Sequence, residues 1–272
     1  MGLFELLAIN AAISIACFVA LWLIGIAIKD VTFVDSWWAL GMVVLALASF
    51  IETGPATPHK IALTALCVAW GLRLGIHLLL RWRRDGPDRR YKTMLGKAET
   101  ERHWGFAQSS LLLVFALQAP LQFVVSLPVQ LGQAAPTSAP LGLIALAGLV
   151  IGVIGLGFEA IGDWQLMLFK RDPANTATVM DRGLWRYTRH PNYFGDACVW
   201  VGLFLIAAET RYGLWSLPGP LLIVFLLTRW SGVPTVEGRL RRRRPGYEAY
   251  VQRTSGFVPW FPKSATKQAD PT

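Results

Sequence analysis

The chain has 272 residues, of which 54% are hydrophobic and only 16% are charged. Soluble domains carry about 25% charged residues, so the composition argues against a soluble globular enzyme and against a disordered protein. The formal net charge is +9, which raises the question of nucleic acid binding. Because the basic residues flank apolar segments, the charge is instead typical of membrane-protein loops, and no nucleic acid partner is expected.

The apolar residues lie in runs of about 20, the length that crosses a hydrocarbon core about 30 Å thick. This pattern predicts an all-α polytopic membrane protein, a bundle of about seven transmembrane helices in a single membrane domain over residues 1–272. The first span has no basic start and no cleavage site, so we expect it to be retained. The predicted spans are 3–28, 31–51, 60–81, 106–131, 140–168, 193–209 and 211–229, followed by a tail over 230–272.

The basic residues predict the orientation of these spans. All but three of the 26 Lys and Arg residues lie on one side; the exceptions are Lys60, Arg73 and Arg211. The positive-inside rule therefore predicts an N-terminus outside and a cytoplasmic C-terminus, and we expect a multi-pass protein of a bacterial inner membrane. The arginine-rich loops contact anionic lipid or bind a phosphorylated cofactor.

Ionisable side chains inside an apolar span are costly, so each is a candidate functional residue. Asp35 lies near the start of the second span, just before Trp37 and Trp38. One interpretation is an interfacial anchor beside an aromatic belt. The other is a carboxyl in a low-dielectric pocket, where it would stay protonated and donate a hydrogen bond.

Two further polar patterns repeat at helical spacing. Arg73, His77 and Arg81 lie four residues apart in the third span and share one face, which must avoid lipid. Internal ion pairing explains this face; a functional role is the alternative and is favoured for Arg81, which is nearest the cytoplasmic loops. In the fourth span Gln118 and Gln122 share a face, either for hydrogen bonds between helices or to line a substrate site.

Glu159 and Asp163 repeat this spacing near the end of the fifth span. Two like charges on one face repel, so they need partners such as loop arginines or ligand hydroxyls. The carboxamide and ribose hydroxyls of a nicotinamide cofactor would suit them. No His, Cys or acidic spacing matches a metal-binding motif, so no metal site is predicted.

The densest motif covers residues 183–196 and reads GLWRYTRHPNYFGD. Arg186 and Arg189 can hold phosphate, and aromatic rings can stack on a base. Pro191 stands where a helix would start, and the free N–H groups of a helix start favour an anion. The motif therefore suits a phosphate-bearing cofactor without identifying it.

Six segments, in order over nearly the whole chain, are similar to one protein family. They are 34–38 (VDSWW), 70–73 (WGLR), 90–91 (RY), 162–166 (GDWQL), 187–195 (YTRHPNYFG) and 231–234 (SGVP) with Glu237. On these segments the chain resembles the bacterial membrane proteins of the steroid 5-alpha-reductase-like family. The Arg-His-Pro-x-Tyr motif alone is also shared by membrane isoprenylcysteine and phospholipid methyltransferases.

The resemblance implies a seven-helix membrane reductase that uses NADPH on the C=C bond of a 3-oxo-Δ4 steroid. It implies that Asp35 polarises the substrate ketone. Vertebrate relatives pair that carboxylate with a tyrosine in the third span, but Leu78 follows His77 here, so Tyr91 or His77 is the expected substitute. The candidate cofactor-binding residues are Arg81, Asp163, Lys170, Arg171, Tyr187, Arg189, His190, Asn192, Tyr193, Gly195, Trp200, Arg229 and Glu237.

The leading hypothesis is therefore an NADPH-dependent reductase of a steroid or similar lipid enone that enters from the membrane. There is no G-x-G-x-x-G after a strand, so NADPH is expected between helices rather than in a Rossmann fold. An S-adenosylmethionine-dependent methyltransferase is the alternative, which the loop arginines disfavour because that cofactor carries no phosphate. A transporter or scaffold would explain the spans but not the Asp163, Arg189 and Asn192 constellation; no protein partner is inferred.

Overall fold

The computed structural model describes residues 1–263, and these residues fold into helices joined by loops. Within them seven helical segments are long and apolar enough to cross a membrane, which confirms the predicted all-α membrane bundle and its number of spans. The segments are Leu3–Ile28, Val34–Glu52, Pro58–Asp85, Phe106–Val125, Leu143–Arg171, Pro191–Ala208 and Gly213–Arg243. The described chain has no β-strand, only an isolated bridge between Thr188 and Ser255.

Twelve α-helices make up these segments and their connections in the described chain. They are α1 (Leu3–Ile28), α2 (Val34–Glu52), α3 (Pro58–Asp85), α4 (Arg89–Arg102), α5 (Phe106–Ser110), α6 (Ala116–Val125), α7 (Leu127–Ala134), α8 (Leu143–Arg171), α9 (Pro191–Ala208), α10 (Pro218–Phe225), α11 (Val233–Arg243) and α12 (Tyr247–Arg253). Short π-helical segments, Leu111–Phe115 and Leu226–Trp230, interrupt the fourth and seventh spans.

The third and seventh spans extend furthest beyond their predicted ends, and one loop contains a helix. The helix α3 continues to Asp85, and the seventh segment continues to Arg243, beyond the predicted ends at 81 and 229. Hydropathy detects only the apolar part of a helix, whereas arginine side chains let a helix continue past the hydrocarbon by extending their charges into water. The predicted loop over 82–105 holds the polar helix α4.

The residue contacts divide the chain into two compact units. The first unit comprises Met1–Val150 and Trp200–Leu222. The second comprises Ile151–Val199 and the described residues from Ile223 onward. Each unit contains one cluster of the predicted site residues.

In the first unit, glycines let α2 and α3 pack closely. A Cβ at Gly71 would overlap Val43 Cγ2 and lie 2.9 Å from the Ala39 carbonyl oxygen, so any larger residue would push the helices apart. Gly75, one turn later, meets Leu40 in the same way. Small residues at such crossings are typical of membrane helices. This packing supports the charged ends of α2 and α3, where Asp35 and Arg81 lie.

Several polar groups of the first unit are paired across its helices. Asn10 of α1 donates to Ser49 Oγ at 2.9 Å and to Gln130 Oε1 at 3.0 Å. Glu209 accepts from the backbone N–H groups of Gly142 and Ala145, at 2.8 and 2.9 Å, at the start of α8. A hydrocarbon environment contains no water to hydrogen-bond these groups, so the protein satisfies them internally.

In the second unit, a pair of glycines joins α8 to α9, and the C-terminal segment packs on the loop before α9. A Cβ at Gly195 would overlap the carbonyl oxygen of Gly155, which explains the absence of side chains there. The Arg189 N–H donates to the Ser255 carbonyl at 2.9 Å. The Trp260 N–H donates to the Tyr187 carbonyl at the same distance. The loop before α9 is therefore hydrogen-bonded to the C-terminal segment at two residues, Tyr187 and Arg189.

Candidate functional site

The first cluster of predicted site residues is built around the Asp35 carboxylate. The Tyr91 hydroxyl donates to Asp35 Oδ1 at 2.6 Å, and Arg90 donates to Asp35 Oδ2 at 3.1 Å. A guanidinium nitrogen of Arg81 lies 3.6 Å from the same Oδ2. Gln118 of α6 donates to the Tyr91 hydroxyl oxygen at 3.2 Å. We call Asp35, Tyr91, Arg90, Arg81 and Gln118 the carboxylate cluster.

The turn before α4 positions Tyr91 and Arg90. Asp88 caps this helix by accepting from the Arg90 N–H at 2.8 Å, and its own N–H donates to Thr32 Oγ1 at 2.9 Å. Although burial opposes it, the hydrogen bonds from Arg90 hold the pKa of Asp88 below its usual value. Asp30, in the turn between α1 and α2, accepts hydrogen bonds from Thr32 and from the Trp82 indole. These bonds connect α3 to the turn that contains Thr32. Tyr91 is thereby held against the start of α2.

Burial, together with the neighbouring Asp35 carboxylate, raises the pKa of Tyr91 well above its usual value. Desolvation and a nearby negative charge both disfavour the phenolate. The phenol therefore stays protonated well beyond neutral pH and keeps its ability to donate a hydrogen bond. This is the property that a group stabilising a developing oxyanion needs.

The contacts of Asp35 differ from the expectation of a protonated donor. Asp35 accepts from a phenol and from a guanidinium, and a second guanidinium lies beside it, so the donors are the groups around it. Of the two residues expected to partner it, Tyr91 makes the contact. His77 lies half-buried on α3.

The first unit contains two cavities, one of which is lined by Tyr91 of the carboxylate cluster. One, of about 240 Å³, is lined by Tyr91, Asp88 and the lysines Lys29 and Lys92. The other is an apolar groove of about 480 Å³ formed by α1 with α6 and the π-helical segment before it. Its lining residues are Ala11, Ser14, Ile15, Phe18, Val19, Leu111, Phe115, Ala116, Ala119, Pro120, Phe123 and Val124. The groove is suited to a hydrocarbon ligand.

The second cluster of predicted residues lies where α8 faces the start of α9. Asn192 donates to Asp163 Oδ1 at 3.0 Å, and Asp163 is 9% exposed. The missing side chain of Gly162 permits this contact, since a Cβ there would lie 3.1 Å from Pro191 Cγ and 3.2 Å from the Asn192 nitrogen. The pair presents a carboxylate and an amide, which can bind hydroxyl and carboxamide groups.

Arg189 of the loop motif forms hydrogen bonds with other residues of the second unit. Arg189 Nε donates to Glu237 Oε1 at 2.8 Å, and Arg189 Nη1 donates to the carbonyls of Val251 and Thr254. His190 Nε2 lies 3.1 Å from the same Glu237 oxygen, and its ring stacks on Tyr193 at 5.4 Å. The guanidinium thus joins the loop to α11 and to the end of α12.

Next to Arg189 the second unit has a cavity of about 110 Å³, which we call the basic cavity. Lys170, Arg189, Arg239 and Arg244 contribute its cationic lining. Trp185, Tyr247 and Tyr250 contribute the aromatic part. Burial, with a contribution from Glu237, raises the pKa of Tyr247 to about 12, so the ring stays neutral. The cavity has the charge and size for an anion such as a phosphoryl group.

A family model described as a protein of unknown function, DUF1295, matches residues 21–254. The chain belongs to the DUF1295 family. No curated protein matches the chain, and no solved structure does. The DUF1295 match includes both the carboxylate cluster and the basic cavity.

The remaining predicted site residues of this DUF1295 protein lie in three kinds of surroundings. Trp200 is fully buried, its ring 5.2 Å from that of Trp70, and its indole N–H has no hydrogen-bond partner within the described chain. Tyr187 is 38% exposed and contacts Phe261. Arg171 is exposed at the end of α8, and Arg229 is exposed in the π-helical segment Leu226–Trp230.

Sequence reasoning missed Trp185, Tyr247 and Tyr250 of the basic cavity. Trp185 donates to the Gly162 carbonyl at 3.0 Å and accepts, through its own carbonyl, from the Tyr250 hydroxyl. Tyr247 and Tyr250 follow the Arg241–Arg244 run, which by sequence is typical of a solvated or lipid-contacting face. A signal was present, because two tyrosines three residues apart on a polar helix share one face.

Proposed function

We propose that this protein is an NADPH-dependent membrane reductase that saturates the C=C bond of a 3-oxo-Δ4 steroid or a similar lipid enone. The observation that carries the proposal is the 2.6 Å hydrogen bond from Tyr91 to Asp35, flanked by Arg81 and Arg90. The family resemblance of the sequence motifs supports the same activity. The DUF1295 membership by itself assigns no reaction.

Reduction of an enone adds a hydride at the β-carbon and a proton at the α-carbon, and negative charge develops on the carbonyl oxygen in between. We propose that Tyr91 donates its hydrogen bond to that oxygen, because its raised pKa keeps the phenol protonated. Asp35 orients the phenol when no substrate is bound. Arg81 and Arg90 place positive charge beside the developing oxyanion, where it stabilises the transition state.

The apolar surroundings of the first unit support the proposed substrate class. The groove of about 480 Å³ between α1 and α6 carries Phe18, Phe115 and Phe123 on its walls. Ser14 also lines it, and the hydroxyl of this side chain has no hydrogen-bond partner among the described residues. A largely hydrocarbon molecule with an occasional polar substituent fits such a groove. We propose that the substrate enters it from the lipid.

The cofactor assignment rests on the chemistry of the second unit. A cavity of about 110 Å³ with four cationic side chains fits a phosphate group, which S-adenosylmethionine lacks. Lys170, Arg239 and Arg244 would hold the 2′-phosphate of NADPH. Asp163 and Asn192 would bind the hydroxyl and carboxamide groups of the cofactor. Bound NADPH supplies the hydride. Arg189 would position this site through Glu237 rather than serve as its main anion ligand.

Binding by the full-length protein in detergent tests the cofactor assignment. The variant Arg239→Ala/Arg244→Ala should weaken NADPH binding at least about tenfold and change NADH binding little, if the cavity holds the 2′-phosphate. The matched control is Arg242→Ala/Arg243→Ala, two exposed arginines of the same segment, which should leave both affinities unchanged.

The reaction itself is tested by single-turnover oxidation of NADPH with a 3-oxo-Δ4 steroid, with the product identified by a mass gain of two hydrogens. Formation of the saturated ketone supports the proposal. Binding of S-adenosylmethionine instead of NADPH would overturn it in favour of a methyltransferase. Equal affinity of both arginine variants for NADPH would remove the basic cavity from the cofactor site.

The location of the protein belongs to the same proposal. We propose that it resides in a bacterial inner membrane with its C-terminus in the cytoplasm, because all but three of its 26 Lys and Arg residues lie on one side of the spans. NADPH is a cytoplasmic cofactor, so this orientation would give the site access to it.

A further inference from the structure

The second unit has a further cavity, of about 520 Å³, that the proposed reaction does not use. Arg182, Arg186, Arg253 and Lys263 line it together with a single carboxylate, Asp181. Arg253 forms an ion pair with Asp181, which neutralises that carboxylate. For Arg182, Arg186 and Lys263 no ion pair is found within residues 1–263. The cavity therefore presents about three uncompensated positive charges.

Large apolar side chains stand exposed on the segment that forms one wall of this cavity. Val258 is 59% exposed, Trp260 is 71% exposed and Phe261 is 76% exposed. Three such side chains within four residues are costly to leave in water. Tryptophan beside basic residues is the combination found where a membrane protein meets the headgroup region.

Backbone hydrogen bonds hold this segment in place, so this wall of the cavity has a defined position. The Trp260 N–H donates to the Tyr187 carbonyl at 2.9 Å, and the Lys263 N–H donates to the Arg253 carbonyl at 2.9 Å. The Phe261 ring packs edge-on against Tyr187, with centroids 6.2 Å apart. Tyr187 follows Arg186 directly, so the exposed aromatics and the arginines are fixed to the same piece of backbone.

We propose that this cavity binds the headgroup of an anionic phospholipid. Arg182, Arg186 and Lys263 bind the phosphate, and Trp260 and Phe261 insert into the adjoining interface. The chain crosses a membrane, so phospholipid is always present at high concentration around it. A soluble anion would use the charges but would leave the exposed aromatic and aliphatic side chains in water. The proposal does not depend on the reductase activity.

The test measures lipid binding to the full-length protein in nanodiscs and by native mass spectrometry after mild delipidation. The probes are phosphatidylglycerol and phosphatidylcholine of matched chain length. The wild type should retain phosphatidylglycerol preferentially, and Arg182→Ala/Arg186→Ala should lower that retention by about tenfold or more, since each basic residue contributes to anionic lipid attraction. Trp260→Ala/Phe261→Ala should lower retention of the same lipid without any change in charge.

Arg242→Ala/Arg243→Ala is the matched control, since it also removes two exposed positive charges from the same unit. It should retain phosphatidylglycerol like the wild type. Equal loss in this control would show a general charge effect and overturn the site. The cavity would be a site for a soluble anion instead if millimolar inorganic phosphate or NADPH displaced phosphatidylglycerol and if Trp260→Ala/Phe261→Ala retained this lipid like the wild type. Circular dichroism and thermal unfolding confirm that each variant is folded.

Discussion

Tyr91 and Asp35 meet although 56 positions separate them in the chain. Neither residue is unusual in its local sequence: one opens a membrane helix beside two tryptophans, and the other lies in the first turn of a polar helix. Their contact turns an interfacial carboxylate into an acceptor that orients a partly buried phenol. The proposed chemistry depends on that phenol staying protonated and on the arginines beside it.

Tyr91→Phe should lower the single-turnover rate of enone reduction by roughly 10²–10³-fold, because it removes one donor to the developing oxyanion. NADPH binding should stay unchanged, since the phenol is not among the residues assigned to the cofactor. Asp35→Asn keeps an acceptor for Tyr91 and should retain more activity than Asp35→Leu, which keeps none. The assay is NADPH oxidation in detergent with a steroid enone.

Tyr212→Phe is the control for that experiment. Tyr212 lies in the loop after α9, where its ring contacts Arg211, and it takes no part in the carboxylate cluster. Its rate should equal that of the wild type. If Tyr91→Phe also turns over at the wild-type rate, Tyr91 only stabilises the start of α4, and the acid must be another group such as His77.

Arg189 shows how an obvious motif residue can have a different role from the expected one. In the sequence it is an arginine beside a proline that starts a helix, which favours a phosphate ligand. In the structure its guanidinium bonds Glu237 and two backbone carbonyls. An anion ligand at Arg189 stays a prediction, since Arg189 also lines the basic cavity.

Among the helices of the first unit, α2 and α3 pack closely against each other. Gly71 meets Val43 and the Ala39 carbonyl, and at one end of this crossing Asp35 of α2 meets Arg81 of α3 in the carboxylate cluster. The backbone there has no room for a methyl group. Displacing α3 would also displace Arg81 from Asp35, so helix packing and the site are linked.

Gly71→Ala should lower the free energy of unfolding by about 1–3 kcal/mol, because an added methyl group would overlap atoms of α2 that cannot move aside. It should also lower enone reduction more than NADPH binding, since the cofactor residues assigned here lie in the other unit. Chemical denaturation in detergent measures the first effect, and the kinetic assay measures the second.

Gly157→Ala is the matched control, because Gly157 also lies inside a membrane helix and a Cβ there would meet nothing within 4 Å. Alanine is a better helix former than glycine, so this variant should be neutral or slightly stabilising. A Gly71→Ala variant as stable as Gly157→Ala would contradict the tight α2–α3 packing.

At the scale of the molecule, the described chain has seven membrane-crossing helical segments, an odd number, so its two ends should lie on opposite sides. The basic residues predict which side each end takes. A reporter fused after residue 263 should therefore report the cytoplasm, and one inserted between α7 and α8, over 135–142, should report the opposite side. Alkaline phosphatase and fluorescent protein fusions measure this directly.

The control is a reporter inserted at residue 87, in the turn between α3 and α4, which should agree with the C-terminal fusion. Reporters at 87 and within 135–142 on the same side would contradict the topology. A reversed but consistent pattern would keep seven spans and overturn the orientation only.

Hydropathy along the chain is enough to establish the helical class and the number of membrane crossings. Moving charge into hydrocarbon is so costly that every crossing must show as a long apolar run, whatever it packs against. For the same reason Asp35, Arg81 and Asp163 are recognisable as candidate site residues from their positions in the sequence alone. Helix ends are less certain, because arginine-rich turns continue α3 and the seventh segment beyond the apolar run.

The pairing of polar groups is decided only by tertiary structure. Tyr91 reaches Asp35 because Asp88 caps α4 and donates a hydrogen bond to Thr32. The sequence predicts only a basic loop where α4 lies. Arg189 turns to Glu237 because the C-terminal segment folds back on its loop. A hydrogen bond depends on distance and direction within a few tenths of an ångström, and those are set by how helices pack and loops close. Residue spacing along one helix carries no information about partners on another.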